Sequence, residues 1–544
     1  MRPAHGWRCL QAGRWSLWFK GSLDGSTPEA LARHVSSLPD DVDERAIERL
    51  LGGVGGHFAL VAEGAAVTFA AVDRIRSIPL VHGRRGDKAT VDQDGARIER
   101  ALGLGPSDID ADPALAVALS GFTIGDATLY RGVRQLGPGQ FFVATGEGEP
   151  RFGRYHRFAP YRPASQNRVT LKRNLGELMV SALERMIAAA AGRPIALPLS
   201  AGLDSRLIVS GLKRLGYPHL LTFAYGLPGN HEAETSRAIA ERLDLPWRFV
   251  PFGVKAMRAV FVSEDYAAFR ASADSLTGVH FPQDYLALVE LKRAGYLPPE
   301  ALIVNGQSGD FITGNHIPAT LAMPRSDLAP EERRRRVTAA LIAKHFKQWA
   351  SLLTPENRAR IEACLTREIE AIGGMPTDAG ADHGVYEWCE FQDRQSKYVV
   401  NGQRVYEYLG HDWRLPLWDD AWLDFWAQAP LEAKVKQNLY REVLIEADWG
   451  GVWRGIPVNA KRVRPGWMVP LRFALKAFHA PLGRDRWHGF ERRYLQYWMD
   501  NLSSSANRRY LAIARDGRGA RSGIAYHVED YLHGKGLNND GWPR

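Results

Sequence analysis

Hydrophobic positions along this chain follow two rhythms. Up to about residue 160 they form short apolar or alternating runs, Trp15–Phe19, His57–Ala62, Ala66–Val72 and Gln140–Ala144, separated by glycine-rich turns. Runs of that length predict strands, with one helix over Pro28–Ser37 between them. From about residue 170, apolar residues recur at helical spacing over 172–191, 203–215 and 232–243. Compact apolar runs lie between and beyond these stretches, at 195–199, 219–225, 247–252 and 301–305. Strands alternating with helices predict a parallel sheet with helices on both faces. Beyond about residue 330 the pattern is mostly helical, and the proline-bearing stretch 159–168 reads as a linker.

The expected fold class is therefore α/β in three parts. Residues 1–160 form a β-rich unit, 168–470 a doubly wound parallel-sheet unit with helical additions, and 471–544 a basic, aromatic, helical extension. A chain of 544 residues is long enough for more than one core.

The sharpest local signal is Leu199-Ser200-Ala201-Gly202-Leu203-Asp204-Ser205, set between a strand-like run and the amphipathic series Leu203, Leu207, Ile208, Leu212 and Leu215. A tight turn between strand and helix offers hydroxyls and backbone N–H groups at a helix N-terminus, where unpaired donors and the helix dipole favour anions. It is not a Walker P-loop, since the Gly-Lys-Ser/Thr ending is missing. In doubly wound sheets, ligands bind beyond the carboxyl ends of the strands, where this loop falls.

Composition narrows the field. A hydrophobic fraction of 45% and a charged fraction of 24% are those of a globular protein, and no apolar run is long enough to span a bilayer. Cys9, Cys364 and Cys389 are odd in number and far apart, which argues against a disulfide framework or zinc site and for a reducing, cytoplasmic setting. The net charge of +9 raises the question of nucleic acid, but the arginines are scattered and no nucleic-acid-binding signature accompanies them. The run Glu331–Arg336 reads as a solvated first helical turn, and 472–498 mixes Arg and Lys with Phe, Trp and Tyr as a helical subdomain or a docking surface would.

The Ser200–Ser205 loop resembles the pyrophosphate-binding loop of the asparagine synthetase family, with Ala201 in place of a usual glycine. Three further blocks follow in the family's order. Gly306-Gln-Ser-Gly309-Asp310-Phe311-Ile-Thr-Gly314 is similar to its Gly-Glu-Gly-Ala-Asp-Glu-Leu-Phe-Gly loop, with Phe311 in place of an acid. Gly410-His-Asp412-Trp-Arg414-Leu-Pro416-Leu-Trp-Asp419 is similar to Gly-Val-Glu-x-Arg-x-Pro-Phe-Leu-Asp. Lys461 lies where the family has an Arg-x-Lys lysine, with Lys436 as the competing candidate. The stretch Thr222–Gly226 with Glu234 resembles the strand and acidic helix start that border adenine and ribose, whereas His231 and His316 read as structural or surface residues.

The resemblance implies roles. Leu199, Ser200, Ala201, Gly202, Leu203, Asp204, Ser205, Gly226 and Gly309 would bind ATP and its pyrophosphate. Asp204 and Asp310 would hold Mg²⁺, Asp412 would relay a proton, and Lys461 would stabilise the acyl oxyanion. The cofactors implied are ATP and Mg²⁺. The reaction implied by the resemblance is adenylation of a small-molecule or peptide carboxylate, followed by amide formation.

The N-terminal unit resembles the family's glutamine amidotransferase domain, an Ntn-hydrolase-like αββα sandwich, through Gly56–Ala59, Asp73–Leu80 and Thr128–Gly139. It departs at the catalytic positions. The sequence begins Met1-Arg2-Pro3 without an N-terminal cysteine, Val72 replaces the arginine before Asp73, and Lys20-Gly21 replaces the Asn-Gly oxyanion donor. The expectation is a ligase without glutaminase activity, fed by ammonia, by a separate amidotransferase, or by an amine of the substrate. A peptide or β-lactam cyclase, a sugar amidotransferase of surface-polysaccharide synthesis, and a nucleotide-binding pseudo-enzyme are the alternatives. No nucleic acid or membrane span is expected, and homodimerisation is left open.

Overall fold

The computed structural model describes residues 6–39, 42–86, 88–145, 149–280, 284–458 and 462–537. The N-terminal half holds two antiparallel sheets. Six strands, β1 (Arg8–Ala12), β2 (Trp15–Leu23), β3 (Gly56–Glu63), β4 (Val67–Val72), β8 (Gln140–Thr145) and β9 (Arg151–Arg154), pair in the order β1-β2-β3-β4-β8-β9. Strands β5 (Val81–Arg85), β6 (Lys88–Asp92) and β7 (Val133–Gln135) pair as β6-β5-β7.

Alternation along the strands sorts side chains between the faces of the larger sheet. Leu17, Phe19, Leu60 and Phe69 pack against α1 (Pro28–Ser36) and α2 (Glu44–Gly52), whereas Val61, Ala70 and Val72 meet Leu80 and Leu136 from the smaller sheet. Helices α3 (Gly95–Leu102) and α4 (Ala111–Ser120) cover the smaller sheet's other face, completing an αββα stack.

The half therefore contains four helices among its described residues, where the sequence pattern suggested one. Two of the three missed, α2 and α3, are short and charge-rich, with a single apolar stripe each. The third, α4, is buried from Ala114 to Ser120 and so lacks the polar face that would give it a period.

In the second half, β10 (Ile195–Pro198), β11 (Leu220–Gly226), β12 (Trp247–Pro251), β13 (Leu302–Val304) and β14 (Trp413–Arg414) form a parallel sheet in the order β12-β11-β10-β13-β14. Helices α5 (Arg168–Ala190), α6 (Asp204–Arg214) and α7 (His231–Arg242) connect and flank its first strands. The chain moves outward from β10 in both directions, so the order reverses between β10 and β13. In open α/β sheets that switch point leaves a crevice at the carboxyl ends of the two central strands.

Helices 330–345, 355–371 and 382–390 do not form a separate body. Val337, Leu341, Ile361 and Leu365 share one core with Ile98, Leu115 and Leu119 of the N-terminal half and with Val528 and Leu532 near the C-terminus. Arg333, expected on a solvated turn, is buried there and pairs with Asp382 at 3.2 Å. Residues 468–479 form a helix whose outer face is apolar and exposed. The three cysteines are free thiols, and among the described residues no helix is long and apolar enough to cross a membrane.

Candidate active site

The loops after β10 and β13 meet at the switch point. They enclose a cleft of about 200 Å³ lined by Ser200, Gly202, Asp204 and Ser205 on one side and Asn305–Ser308 and Asp310 on the other. The backbone N–H of Asp310 donates to Asp204 Oδ2 at 2.9 Å. Two glycines permit this approach: a Cβ on Gly306 would lie 2.9 Å from the Ser205 nitrogen, and one on Gly309 would lie 2.4 Å from Asp204 Oδ1.

Within the first loop the hydroxyls set the turn. The Ser200 N–H donates to Ser205 Oγ at 3.2 Å, the Gly202 N–H donates to Ser200 Oγ at 3.1 Å, and the two hydroxyl oxygens lie 3.1 Å apart. Leu199 also lines the cleft, while Ala201 and Leu203 turn into the protein. Ala201 is not among the positive-φ residues, so alanine fits there without strain.

Behind the loop, the buried Arg206 guanidinium donates to the carbonyls of Ala201, Val452, Ile456 and Pro457 at 3.0–3.2 Å. One cation thereby fastens the anion loop to the chain segment that leads towards 461.

The aspartates of the two loops are shifted in opposite directions. Burial, and then the negative charge of Asp310, push the Asp204 carboxyl well above its ordinary pKa. Burial also opposes a charge on Asp310, but His316, hydrogen-bonded to it at 3.2 Å, holds its pKa below the usual value. The other His316 nitrogen contacts Glu390, which is fully buried. Burial disfavours the imidazolium, yet Glu390 and Asp310 together lift the His316 pKa to about 9. His316, read from sequence as structural or surface, is thus tied to the cleft. Nothing in the loop sequence pointed to Glu390, which comes from a helix 74 positions further on.

A family model described as asparagine synthase matches residues 174–447. The chain belongs to the asparagine synthase family, and so to a family of ATP-dependent ligases. Comparison with curated proteins gives no match. Among solved structures, one similar to part of the chain is glutamine phosphoribosylpyrophosphate (PRPP) amidotransferase from B. subtilis complexed with ADP and GMP. It shows 14% identity over 45% of this chain and 72% of that chain, with a TM-score of 0.21. Another, titled as the allosteric regulatory enzyme of purine biosynthesis, shows 14% identity over 56% and 58% at a TM-score of 0.19. At such scores neither likeness bears on the fold.

Against the family pattern, several residues fall elsewhere than expected. Asp412 immediately precedes β14, whose Trp413 is in register with Ile303 near the start of β13. It therefore sits at the amino edge of the sheet, opposite the cleft, with a 69% exposed side chain paired to Arg193 at 2.7 Å. The proton-relay role assigned to it fails on that placement. The same block reaches the site further on, where Leu417 packs against Gly309.

Phe311, in the position of an acid, is fully buried and stacks on Trp418 at 6.0 Å, so it takes no space in the cleft. Gly226 does not line the cleft; its φ of +117° and missing Cβ accommodate Asn501, which lies 2.5 Å from where that Cβ would be. Glu234 is turned outward to Arg462 and Arg464, while Glu232, two positions earlier, faces the cleft without a hydrogen bond or ion pair among the described residues. Lys461 lies outside the described residues. Lys436 is exposed beside a different recess, with Glu432 and Arg441.

Asp284, also in the cleft wall, accepts hydrogen bonds from the Tyr225 and Tyr406 hydroxyls. Burial raises its pKa although both tyrosines oppose the shift.

Proposed function

We propose that this protein adenylates a carboxylic acid with ATP, releasing pyrophosphate, and passes the acyl group to ammonia or an amine. The observation that carries this reading is the junction of the Ser200–Ser205 turn with the Asp310 loop at the topological switch point. The β- and γ-phosphates rest on the serine turn at the N-terminus of α6, where hydroxyls and backbone N–H groups favour an anion.

Asp204 and Asp310 are the residues that would hold Mg²⁺. Among the described residues no group of three or more His, Cys, Asp or Glu side chains is set to hold a metal. Two adjacent carboxylates, one with its charge disfavoured by the other, suit an ion that takes few protein ligands and completes its shell with phosphate oxygens and water. When bound, magnesium would neutralise charge on the departing pyrophosphate.

The substrate carboxylate attacks the α-phosphorus and pyrophosphate leaves. The nitrogen nucleophile then attacks the acyl carbon, loses a proton and expels AMP. Of the cleft carboxylates, Asp284 is occupied by two tyrosines, Asp204 by the Asp310 N–H, and Asp310 by His316 and the Phe311 N–H. Glu232, which lines the same cleft and is unengaged among the described residues, is the base assigned to that proton. The resemblance assigns the oxyanion to Lys461.

Glutamine is not the nitrogen source on this reading. Val72 is wholly buried between the two antiparallel sheets, where a substrate-clamping arginine is missing. Lys20, in place of an amide donor, is directed away into a buried pair with Glu407 at 2.6 Å and a hydrogen bond to Gln93 at 3.0 Å.

The test is pyrophosphate release from MgATP with a panel of acids, paired with intact-mass detection of the acyl-adenylate. Pyrophosphate formation that requires an acid supports the proposal. Nucleotide binding with no pyrophosphate from any acid defeats it.

A further inference from the structure

A second recess, of about 360 Å³, lies behind His316. Its lining includes Lys344, Arg394 and Arg521 and contains no Asp or Glu. Three cations from three parts of the chain thus face one small volume, with His316 and Gln348 beside them.

These cations are poorly compensated. The nearest carboxylate to Arg394 is Glu390 at 3.7 Å, beyond hydrogen-bond length, and that carboxylate is already taken by His316 and by His345 at 3.1 Å. Arg394 makes no hydrogen bond among the described residues, leaving its planar fork of donors open. Lys344 donates to the His316 carbonyl at 3.1 Å and lies 3.7 Å from the same Glu390; Arg521 donates to the Lys344 carbonyl. Burial, then the charges of Arg394 and Arg492, push the Arg521 pKa down, and burial lowers that of Lys344. Asp310 is the other acid close by, and it belongs to the nucleotide cleft.

We propose that this recess binds a second anionic group, a carboxylate or a phosphate, of the acid that is activated in the cleft. The inference rests on the proposed adenylation for what happens at the first group. The two volumes meet at one side-chain contact: His316 lines the recess, and its Nε2 lies 3.2 Å from the carboxylate of Asp310, which lines the cleft. Arginine forks match the planar oxygens of carboxylate and phosphate. With no acid in the lining, an ammonium beside the second anion finds no counter-charge. The acceptor is therefore a polyanionic acid without a neighbouring amine, which sets it apart from aspartate.

Calorimetric titration of the full chain with tricarballylate, inorganic phosphate and aspartate tests this, alongside a separate ATP titration. Tricarballylate or phosphate should bind at least tenfold more tightly than aspartate, and the tighter of the two identifies the group. Arg394→Gln with Arg521→Gln should weaken that binding at least tenfold and leave ATP affinity unchanged. Arg394→Gln alone, at a partly exposed position, serves if the pair does not fold. The inference is overturned if neither anion binds, if aspartate binds as well, or if binding survives in the variant but is lost in Asp310→Ala. ATP binding with no anion binding defeats this inference alone; anion binding with no ATP binding defeats the proposed adenylation instead.

An independent observation concerns the helix 468–479. Its inner face, Met468 and Leu475, packs on Trp487 and Leu495, while Trp467, Val469, Phe473 and Phe478 are 50–76% exposed. The helix carries no acid; Lys476 on it and Arg484, Arg486 and Arg492 just after it are exposed, with Asp485 the one exposed acid among them. Aromatic anchors ringed by cations are the pattern of helices lying in a bilayer interface. We infer that this face docks on an anionic lipid surface.

Co-sedimentation of the full chain with phosphatidylcholine vesicles, with and without 30% phosphatidylglycerol (about one lipid in three), tests the charge dependence. Binding should require the anionic lipid, weaken in high salt, and fall at least tenfold in Trp467→Ser/Phe473→Ser/Phe478→Ser with thermal stability retained. No binding to anionic vesicles, or a dimer in solution that the same variant dissociates, overturns it.

Discussion

Asp310 and Asp204 are joined by a hydrogen bond from the backbone of one to the side chain of the other, at 2.9 Å, across 106 positions of sequence. The pair places one carboxylate of lowered pKa beside one of raised pKa at the mouth of the Ser200–Ser205 turn. Asp310→Ala removes the charged member but keeps the backbone N–H, so the loops stay joined. Pyrophosphate release should fall by at least about a hundredfold, with the melting temperature near that of the parent. Unchanged turnover in a folded Asp310→Ala protein would take this residue out of the site.

Gly309 tests the closeness of the loops. A methyl group there would lie 2.4 Å from Asp204 Oδ1 and 2.5 Å from Leu417 Cδ1. Gly309→Ala should cost about 1–3 kcal/mol as overpacking does and disable the cleft. Gly202→Ala meets only the Ser200 hydroxyl at 3.2 Å and should be milder. Denaturation midpoints and turnover of the two variants check the ranking.

Arg206 donates to four backbone carbonyls. Arg206→Met keeps much of the bulk but strands those acceptors, each costing about 1 kcal/mol or more when buried and unpaired. A loss of about 3 kcal/mol in urea unfolding is expected, together with weaker ATP binding. A variant as stable as the parent would show that the carbonyls find water or other partners.

Glu232→Gln separates nucleotide binding from proton transfer. ATP affinity should persist while amide formation drops about a hundredfold, the scale of a general base. Equal loss of both would place Glu232 on the nucleotide instead.

The pH dependence of stability follows from Glu368, whose pKa is raised to about 7, first by burial and then by Asp393. The folded value exceeds the unfolded one, so the contribution is intact below about pH 4.5 and is lost as the pH rises through 7. Glu368→Gln should flatten that decline and stabilise the protein at pH 8 by about 2 kcal/mol. Superimposable pH profiles for parent and variant would refute the assignment.

What the sequence made legible was what local rhythm controls. The strand–turn–helix around Ser200 and the loop after β13 announce themselves through apolar runs ending in small and polar residues, and both ends of the cleft were placed from them. Asp412 was misplaced because β14 has two residues: a motif of ten positions crosses the whole sheet, and spacing alone does not say which end a given residue meets. His316 and Glu390 were invisible because their pairing depends on how a helix beginning at Asp382 docks on a loop ending near Asn315. Glu232 and Glu234, two positions apart, point to roughly opposite sides of one helical turn, and the register of that turn, which begins at the Asn230 cap, is not legible from composition.

The apolar interior shared by Leu115, Leu341 and Val528 gives the N-terminal half a structural reason to persist. Were evolution to discard that half, the helices after Pro330 would be left with an oily wall open to water and the closing helix at 524–534 with nothing to close upon. A gene trimmed to its nucleotide-handling portion would encode an unfinished object, so the N-terminal half serves as scaffolding whatever chemistry it carries.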